Sequence, residues 1–146
     1  MVSANFNLAT LRAIPMFSTL QDEELEVLRE SLTIKTVSVG DTIMVKGEPG
    51  GTLFVLLSGQ VKVVASHRQP DERVLNVLEP IEVFGEMSLL TGDPCSATVI
   101  ATDFCHMLSL NRDTLKAILV KNPSVCYSLL RDAYSRIRLL SEKIAE

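Results

Sequence analysis

Short runs of β-forming residues separated by turn signals fill the sequence between residues 33 and 110, and this pattern constrains the fold more than any other feature. The turns carry Gly-Asp, Gly-Glu-Pro-Gly-Gly, Ser-Gly and Gln-Pro-Asp, which are residue types that reverse the chain direction. The runs are Thr36–Val39, Thr42–Lys46, Leu53–Leu57, Val61–Ala65, Arg73–Leu78, Ala97–Ala101 and Phe104–Leu110. Short strands at such regular spacing predict a β-sandwich or β-barrel.

Helical patterns flank the strands on both sides. Residues Leu20–Leu32 repeat leucine on one face and begin with an acidic turn, which complements the positive end of a helix. A second helix is predicted over Arg112–Val120, with Asn111 as its N-cap. It ends at the Asn122-Pro123 step, where a third helix is predicted to start and to run to about residue 144. The predicted fold class is therefore mainly β with flanking α-helices.

The last predicted helix carries a narrow apolar stripe. Its members are Leu130, Ala133, Tyr134, Ile137, Leu140 and Ile144, at three- and four-residue steps with charged residues on the flanks. A narrow seam is typical of a coiled-coil face, and the helix is long for a small barrel to cover. We expect a homodimer through this helix, and packing of the stripe on the barrel is the alternative.

Composition and charge argue against several classes of function. The 146 residues suit one domain, and a net charge of −4 with scattered basic residues argues against direct nucleic-acid binding. The sequence shows neither a signal peptide nor an apolar run long enough to span a membrane, so we expect no membrane partner and a cytoplasmic location. The three cysteines suit reduced thiols in that compartment.

No grouping of side chains indicates catalysis or a metal site. The two histidines, His67 and His106, are isolated and lack a companion acid at a suitable spacing. No Ser-His-Asp or Cys-His arrangement provides a nucleophile. We therefore expect no enzyme activity, no catalytic residue, no metal and no cofactor.

The segment from Phe84 to Val99 carries the strongest chemical signal. Gly85 permits a positive φ or a close backbone approach, and the residues after it predict a short helix whose first amides face an open space. Such a helix end attracts a phosphate, Glu86 can accept hydrogen bonds from vicinal sugar hydroxyls, and Ser96 offers a hydroxyl and an amide. An ordinary structural crossing between two strands is equally compatible with this pattern.

This segment resembles the phosphate-binding cassette of the cyclic-nucleotide-binding domain family, whose pattern is F-G-E, two apolar or small residues, Leu-Leu, a short loop and P-R-[S/T/A]-A-T-V. The run from Gly47 to Gly51 resembles the hairpin before the family's fourth strand, and Ile14–Leu20 resembles the family's first helix. The last helix resembles the dimerisation helix of the bacterial catabolite-activator-type regulators. The resemblance covers residues 11–146.

The resemblance implies a jelly-roll β-barrel, or double-stranded β-helix, with an N-terminal helix and C-terminal helices. On this basis residues 1–10 would be a flexible N-terminus and residues 11–122 the barrel with its first helix. Residues 123–146 would form a dimerisation or lid helix.

The resemblance also implies the residues of the site. Those expected at the phosphate and ribose are Phe84, Gly85, Glu86, Met87, Ser88, Cys95, Ser96 and Ala97. Those expected on the ribose or purine side are Arg136, Leu140 and Ser141. A contact between Arg136 and Glu86 is expected in a liganded state.

The sequence departs from the family pattern where the cassette normally has arginine, because Cys95 stands there. A guanidinium makes two charge-assisted hydrogen bonds to the phosphate, and its loss would remove about 2 to 3 kcal/mol, or roughly two decades of affinity. The usual Gly-Asp before Phe84 is also absent, and Glu82 adds a like charge there. A thiol near a helix N-terminus can oxidise readily, which gives a redox interpretation of Cys95.

Three functional hypotheses follow. In the first, the domain is a regulatory sensor that binds a cyclic nucleotide, cAMP before cGMP, and signals through its C-terminal helix to a partner subunit or an effector protein. In the second, the site binds no nucleotide and the domain is a protein-interaction or dimerisation scaffold. In the third, the chain is the sensor half of a transcription regulator, whose helix-turn-helix would lie beyond Glu146.

Overall fold

Two four-stranded antiparallel sheets make up the centre of the computed structural model, which describes residues 7–127, 130–131, 134–135 and 138. The helices are α1 (Leu8–Arg12), a 3-10 turn (Pro15–Phe17), α2 (Asp22–Ser31), α3 (Glu86–Thr91) and α4 (Arg112–Lys121). The strands are β1 (Thr33–Val37), β2 (Thr42–Met44), β3 (Thr52–Ser58), β4 (Val61–Ala65), β5 (Arg73–Leu78), β6 (Val83–Phe84), β7 (Thr98–Ala101) and β8 (Cys105–Asn111). Residues 123–127 are also helical.

The strand order is that of a jelly roll. One sheet runs β1-β8-β3-β6 and the other β2-β7-β4-β5, so the first strand pairs with the last, the second with the last but one, and so on inward. This is the pattern of one long antiparallel hairpin folded over into two facing sheets. The predicted fold class, a mainly β jelly roll with flanking helices, is confirmed.

The middle of strand β3, from Leu53 to Leu57, is apolar because both faces of the strand are covered. It lies inside its sheet, between β8 and β6. Leu53 and Val55 belong to an apolar cluster formed with the N-terminal helices and α4, whereas Phe54 and Leu56 belong to a second cluster between the two sheets. Alternate residues of one strand therefore belong to two cores, which is why the strand lacks the apolar–polar alternation of a sheet with one exposed face.

Helices α2 and α4, the two flanking helices predicted before residue 123, begin close to the N-terminal signals in the sequence. Helix α2 begins with three acidic residues, and Glu24 Oε1 accepts a hydrogen bond of 2.9 Å from the amide of Gln21. Helix α4 begins after Asn111, whose Oδ1 accepts a 2.9 Å hydrogen bond from the amide of Thr114, as predicted. The following helix starts at Pro123, and most of the predicted range 123–146 lies outside the described residues.

Two elements are present that the sequence interpretation did not include. Helix α1 covers Leu8–Arg12, within and just after the segment expected to be a flexible N-terminus, and Asn7 caps it through a 2.9 Å hydrogen bond from the amide of Thr10. Strand β6 is only the pair Val83–Phe84, which bonds to β3. A strand of two residues has no period of its own, so the pattern gave no signal for it.

Candidate functional site

The site begins at Gly85, which joins strand β6 to helix α3. Gly85 has φ +87°, and a Cβ at this position would lie 2.5 Å from the carbonyl oxygen of Thr52. Both the left-handed backbone and the close approach require glycine. The chain can therefore turn directly from the sheet into α3, so that the first amides of the helix sit at the edge of the jelly roll.

The first turn of α3 is chemically suited to an anion. The first amides of an α-helix have no partners within the helix, and the helix dipole adds positive potential at that end. Glu86 is the first residue of α3 and is buried, with 5% of its surface exposed. The arrangement thus combines amide donors with a carboxylate acceptor, which is what a ligand with an anionic group and neighbouring hydroxyls needs.

Buried polar side chains concentrate around this segment. Within the described part of the chain the buried polar residues are Glu86, Ser88 and Thr98, with 5%, 5% and 3% of their surface exposed. Thr98 Oγ1 accepts a 3.1 Å hydrogen bond from the amide of Lys46. The hydroxyl of Ser88 has no hydrogen-bond partner among the described residues.

Cys95 lies in the loop after α3 and is fixed by the turn that precedes β3. The amide of Cys95 donates to the carbonyl of Glu48, and the amide of Gly47 donates to the carbonyl of Cys95, both at 2.9 Å. The thiol is buried, and its Sγ lies 3.7 Å from the position that a Cβ on Gly50 would take. A buried thiol therefore stands where the family pattern places a guanidinium.

The predicted site residues divide by location. Phe84 stacks on Phe54 with ring centroids 5.2 Å apart, and Gly85, Glu86 and Ser88 lie at β6 and α3, where they were expected. Ser96 is exposed and Ala97 half-buried in the segment leading to β7. Met87 is the second residue of α3. Arg136, Leu140 and Ser141 lie outside the described residues, so the expected contact between Arg136 and Glu86 stays a prediction.

The carboxylate of Glu82, expected to add a like charge near the phosphate, is exposed and bonded within its own turn. Glu82 Oε1 accepts a hydrogen bond of 2.9 Å from the amide of Glu79, and the side chain is exposed. The carbonyl of Glu82 accepts from Leu56 on β3. This carboxylate therefore serves the turn between β5 and β6.

Two residues of the site were missed from the sequence. Gly50 lies against Ser88, and Arg112 at the start of α4 donates to the carbonyls of Leu89 at 3.1 Å and Ser88 at 3.4 Å. Both contacts join residues far apart in the chain, so no local sequence pattern predicts them. In the described ranges no group of His, Cys, Asp and Glu is placed to hold a metal ion, and no helix is long and apolar enough to cross a membrane.

Comparison with known proteins agrees with this geometry. Residues 34–122 match the family model described as "Cyclic nucleotide-binding domain". The cyclic AMP receptor protein of Thermus thermophilus is 31% identical over 138 residues, which cover 90% of this chain and 64% of that protein. The crystal structure of the Thermus thermophilus catabolite activator protein superposes with a TM-score of 0.79 at 30% identity, covering 90% of this chain and 62% of that one.

The fold is also similar to that of a protein described as cAMP-independent. The regulatory subunit of a cAMP-independent protein kinase A from Trypanosoma brucei superposes with a TM-score of 0.77 at 26% identity, over 90% of this chain and 50% of that chain. The chain spans between 58% and 64% of the length of the curated bacterial regulators that it matches over 90% of its own residues.

Proposed function

The chain belongs to the cyclic nucleotide-binding domain family, and from that premise we propose that it is a non-catalytic regulatory sensor whose ligand is a cyclic nucleotide. The observation that carries the proposal is Gly85, whose left-handed backbone and contact with Thr52 set the first amides of α3 at the end of a strand. The ligand phosphate would lie against those amides, and Ser96 would contribute from the exposed loop. Glu86 would accept hydrogen bonds from the ribose hydroxyls.

We propose cAMP as the first candidate ligand and cGMP as the second. The bacterial relatives are named as cAMP-activated or cyclic AMP receptor proteins, whereas cGMP-dependent protein kinases of other organisms also match part of the chain. The phosphate and ribose are common to both ligands, so the residues of α3 cannot separate them. Discrimination between the purines would fall to Leu140 or Ser141, while Arg136 would approach the ribose and Glu86.

The signal is proposed to leave through the C-terminal helix. Tyr127, Leu130 and Tyr134 are spaced for one helical face, and between 63% and 66% of each is exposed. Exposed aromatic and aliphatic side chains at this spacing suit a seam with a second copy of the chain or with an effector protein. A homodimer is our first expectation, with the protein acting in the cytoplasm and making no direct contact with nucleic acid through this domain.

Isothermal titration tests the proposal. Saturable heat with cAMP or cGMP, and none with 5′-AMP, is expected because only the first two carry the cyclic phosphodiester. Gly85→Ala should abolish the heat, because its Cβ would collide with the Thr52 carbonyl. Gly40→Ala is the matched control, since Gly40 has a similar φ of +90° with nothing within 4 Å of its Cβ position. If titration of the unaltered protein with millimolar cAMP and cGMP releases or absorbs no heat of binding, the proposal is wrong.

The second candidate is a scaffold that binds no nucleotide. It is favoured by one observation: the thiol of Cys95 is buried, and the main chain of Cys95 is hydrogen-bonded to the turn at residues 47–48 through both its amide and its carbonyl. The similarity to a regulatory subunit named as cAMP-independent supports the same view. If the titration is silent and sedimentation still shows a dimer that Tyr134→Glu dissociates, the scaffold is the better description.

A further inference from the structure

Helix α3 is held at its C-terminal end by a side chain of α4. Arg112 is half-buried, and its guanidinium donates to the carbonyls of Leu89 at 3.1 Å and Ser88 at 3.4 Å. Both carbonyls belong to the second half of α3, and the Ser88 carbonyl also accepts a 2.9 Å hydrogen bond from the amide of Gly92, which caps the helix. A cation at this end also complements the negative end of the helix dipole.

The same pair of strands supports both ends of α3. Thr52 on β3 lies against Gly85 before the first turn of α3, and Thr52 is the register partner of Asn111 on β8. Asn111 caps α4, and the next residue, Arg112, reaches back to the last turn of α3. A closed path of contacts therefore joins the start of α3, the strand pair, the start of α4 and the end of α3.

The length of α3 makes these end contacts decisive. A helix of six residues is marginal by itself, because few hydrogen bonds repay the cost of ordering it. We propose that Arg112 is a positioning residue which couples occupancy of the site to the order of α4. A ligand at the start of α3 and the guanidinium at its end stabilise the same short helix, so each strengthens the other. This inference rests on the proposed function.

Hydrogen exchange and titration on Arg112→Gln test the coupling. In the unaltered protein, cAMP should slow amide exchange in residues 86–92 and in residues 112–121. In Arg112→Gln, the affinity for cAMP should fall about tenfold, the equivalent of about 1.4 kcal/mol, and the ligand should no longer protect residues 112–121. Arg112→Lys keeps the positive charge but lacks the paired N–H donors of the guanidinium. It should recover part of the affinity for cAMP and part of the protection of residues 112–121.

Lys116→Gln is the control, because Lys116 is exposed on the same helix and should leave affinity and protection unchanged. Arg112→Gln with the affinity of the unaltered protein, or with ligand protection of α4 intact, would overturn the proposal. If the unaltered protein binds neither cAMP nor cGMP, the proposed function fails. The contact between Arg112 and the last turn of α3 is then tested without ligand. Arg112→Gln should then speed amide hydrogen exchange at residues 89–92, whereas Lys116→Gln should not. Equal exchange rates in the two variants would show that Arg112 does not stabilise the end of α3.

Discussion

The hydroxyl of Ser88 lies directly against Gly50, since a Cβ on Gly50 would be 2.0 Å from Ser88 Oγ and 2.5 Å from Ser88 Cβ. The turn before β3 and the middle of α3 therefore touch with no space for a side chain. The same turn bonds to the main chain of Cys95 through Gly47 and Glu48. One glycine thus allows three separate segments of the site to meet.

Gly50→Ala should destabilise the protein by about 1 to 3 kcal/mol, because the new methyl group must displace Ser88 or the turn. Urea denaturation measures the change in the free energy of unfolding. Ser88→Gly removes both atoms that the methyl group would meet, so the penalty of Gly50→Ala should be smaller in the Ser88→Gly background. Equal penalties in the two backgrounds would show that Gly50 and Ser88 are not in contact.

Ser88→Ala should leave the unliganded protein as stable or more stable, by about 1 kcal/mol. The reason is that its hydroxyl is buried without a hydrogen-bond partner among the described residues, and burying an unsatisfied hydroxyl costs free energy. Thr98→Val is the matched control, because that buried hydroxyl accepts from the amide of Lys46 and its loss should cost about 1 kcal/mol. Thermal or urea unfolding separates the two, and a similar loss in both variants would contradict the burial argument.

Cys95→Arg should tighten cyclic-nucleotide binding by roughly two decades, because it restores the guanidinium that pairs with the phosphate. Cys95→Ser is the control, since it changes the thiol without adding charge and should bind as the unaltered protein does. Titration with cAMP measures both. An unchanged affinity in Cys95→Arg, with the fold intact by circular dichroism, would show that residue 95 does not face the ligand.

The cysteines should differ in their reactivity with a thiol-specific reagent. Cys126 is exposed and should react first, whereas Cys95 and Cys105 are buried. Burial raises the pKa of the Cys105 thiol, whose Sγ donates to the carbonyl of Gln60 at 3.3 Å. A raised pKa leaves less thiolate at any given pH, so Cys105 should need a more alkaline solution than Cys126 to react.

Mass spectrometry of the alkylated peptides over pH 7 to pH 10 follows each site separately. Cys126→Ser should remove the fast phase and leave the slow one. Cys105 is completely buried in the core between the sheets. Early labelling of Cys105 at neutral pH would therefore mean that strand β8 opens readily.

The amino-acid sequence by itself determined the local elements of this protein and their type. Strands β4 and β5 cover the ranges predicted from β-forming residues and the turns between them, and α4 begins after its predicted N-cap, Asn111. These signals act between residues at most a few positions apart, so they can be read along the chain. The cassette pattern likewise located Gly85 and Glu86 at the start of α3.

Only the tertiary structure decided which distant segments meet. The jelly-roll pairing set Thr52 opposite Asn111, which brought Arg112 onto the last turn of α3 and Gly50 onto Ser88. It also created β6, a strand of two residues that exists because β3 offers it free backbone groups. The energies of such contacts depend on the packing of residues far apart in sequence, and no pattern within a short window contains that information.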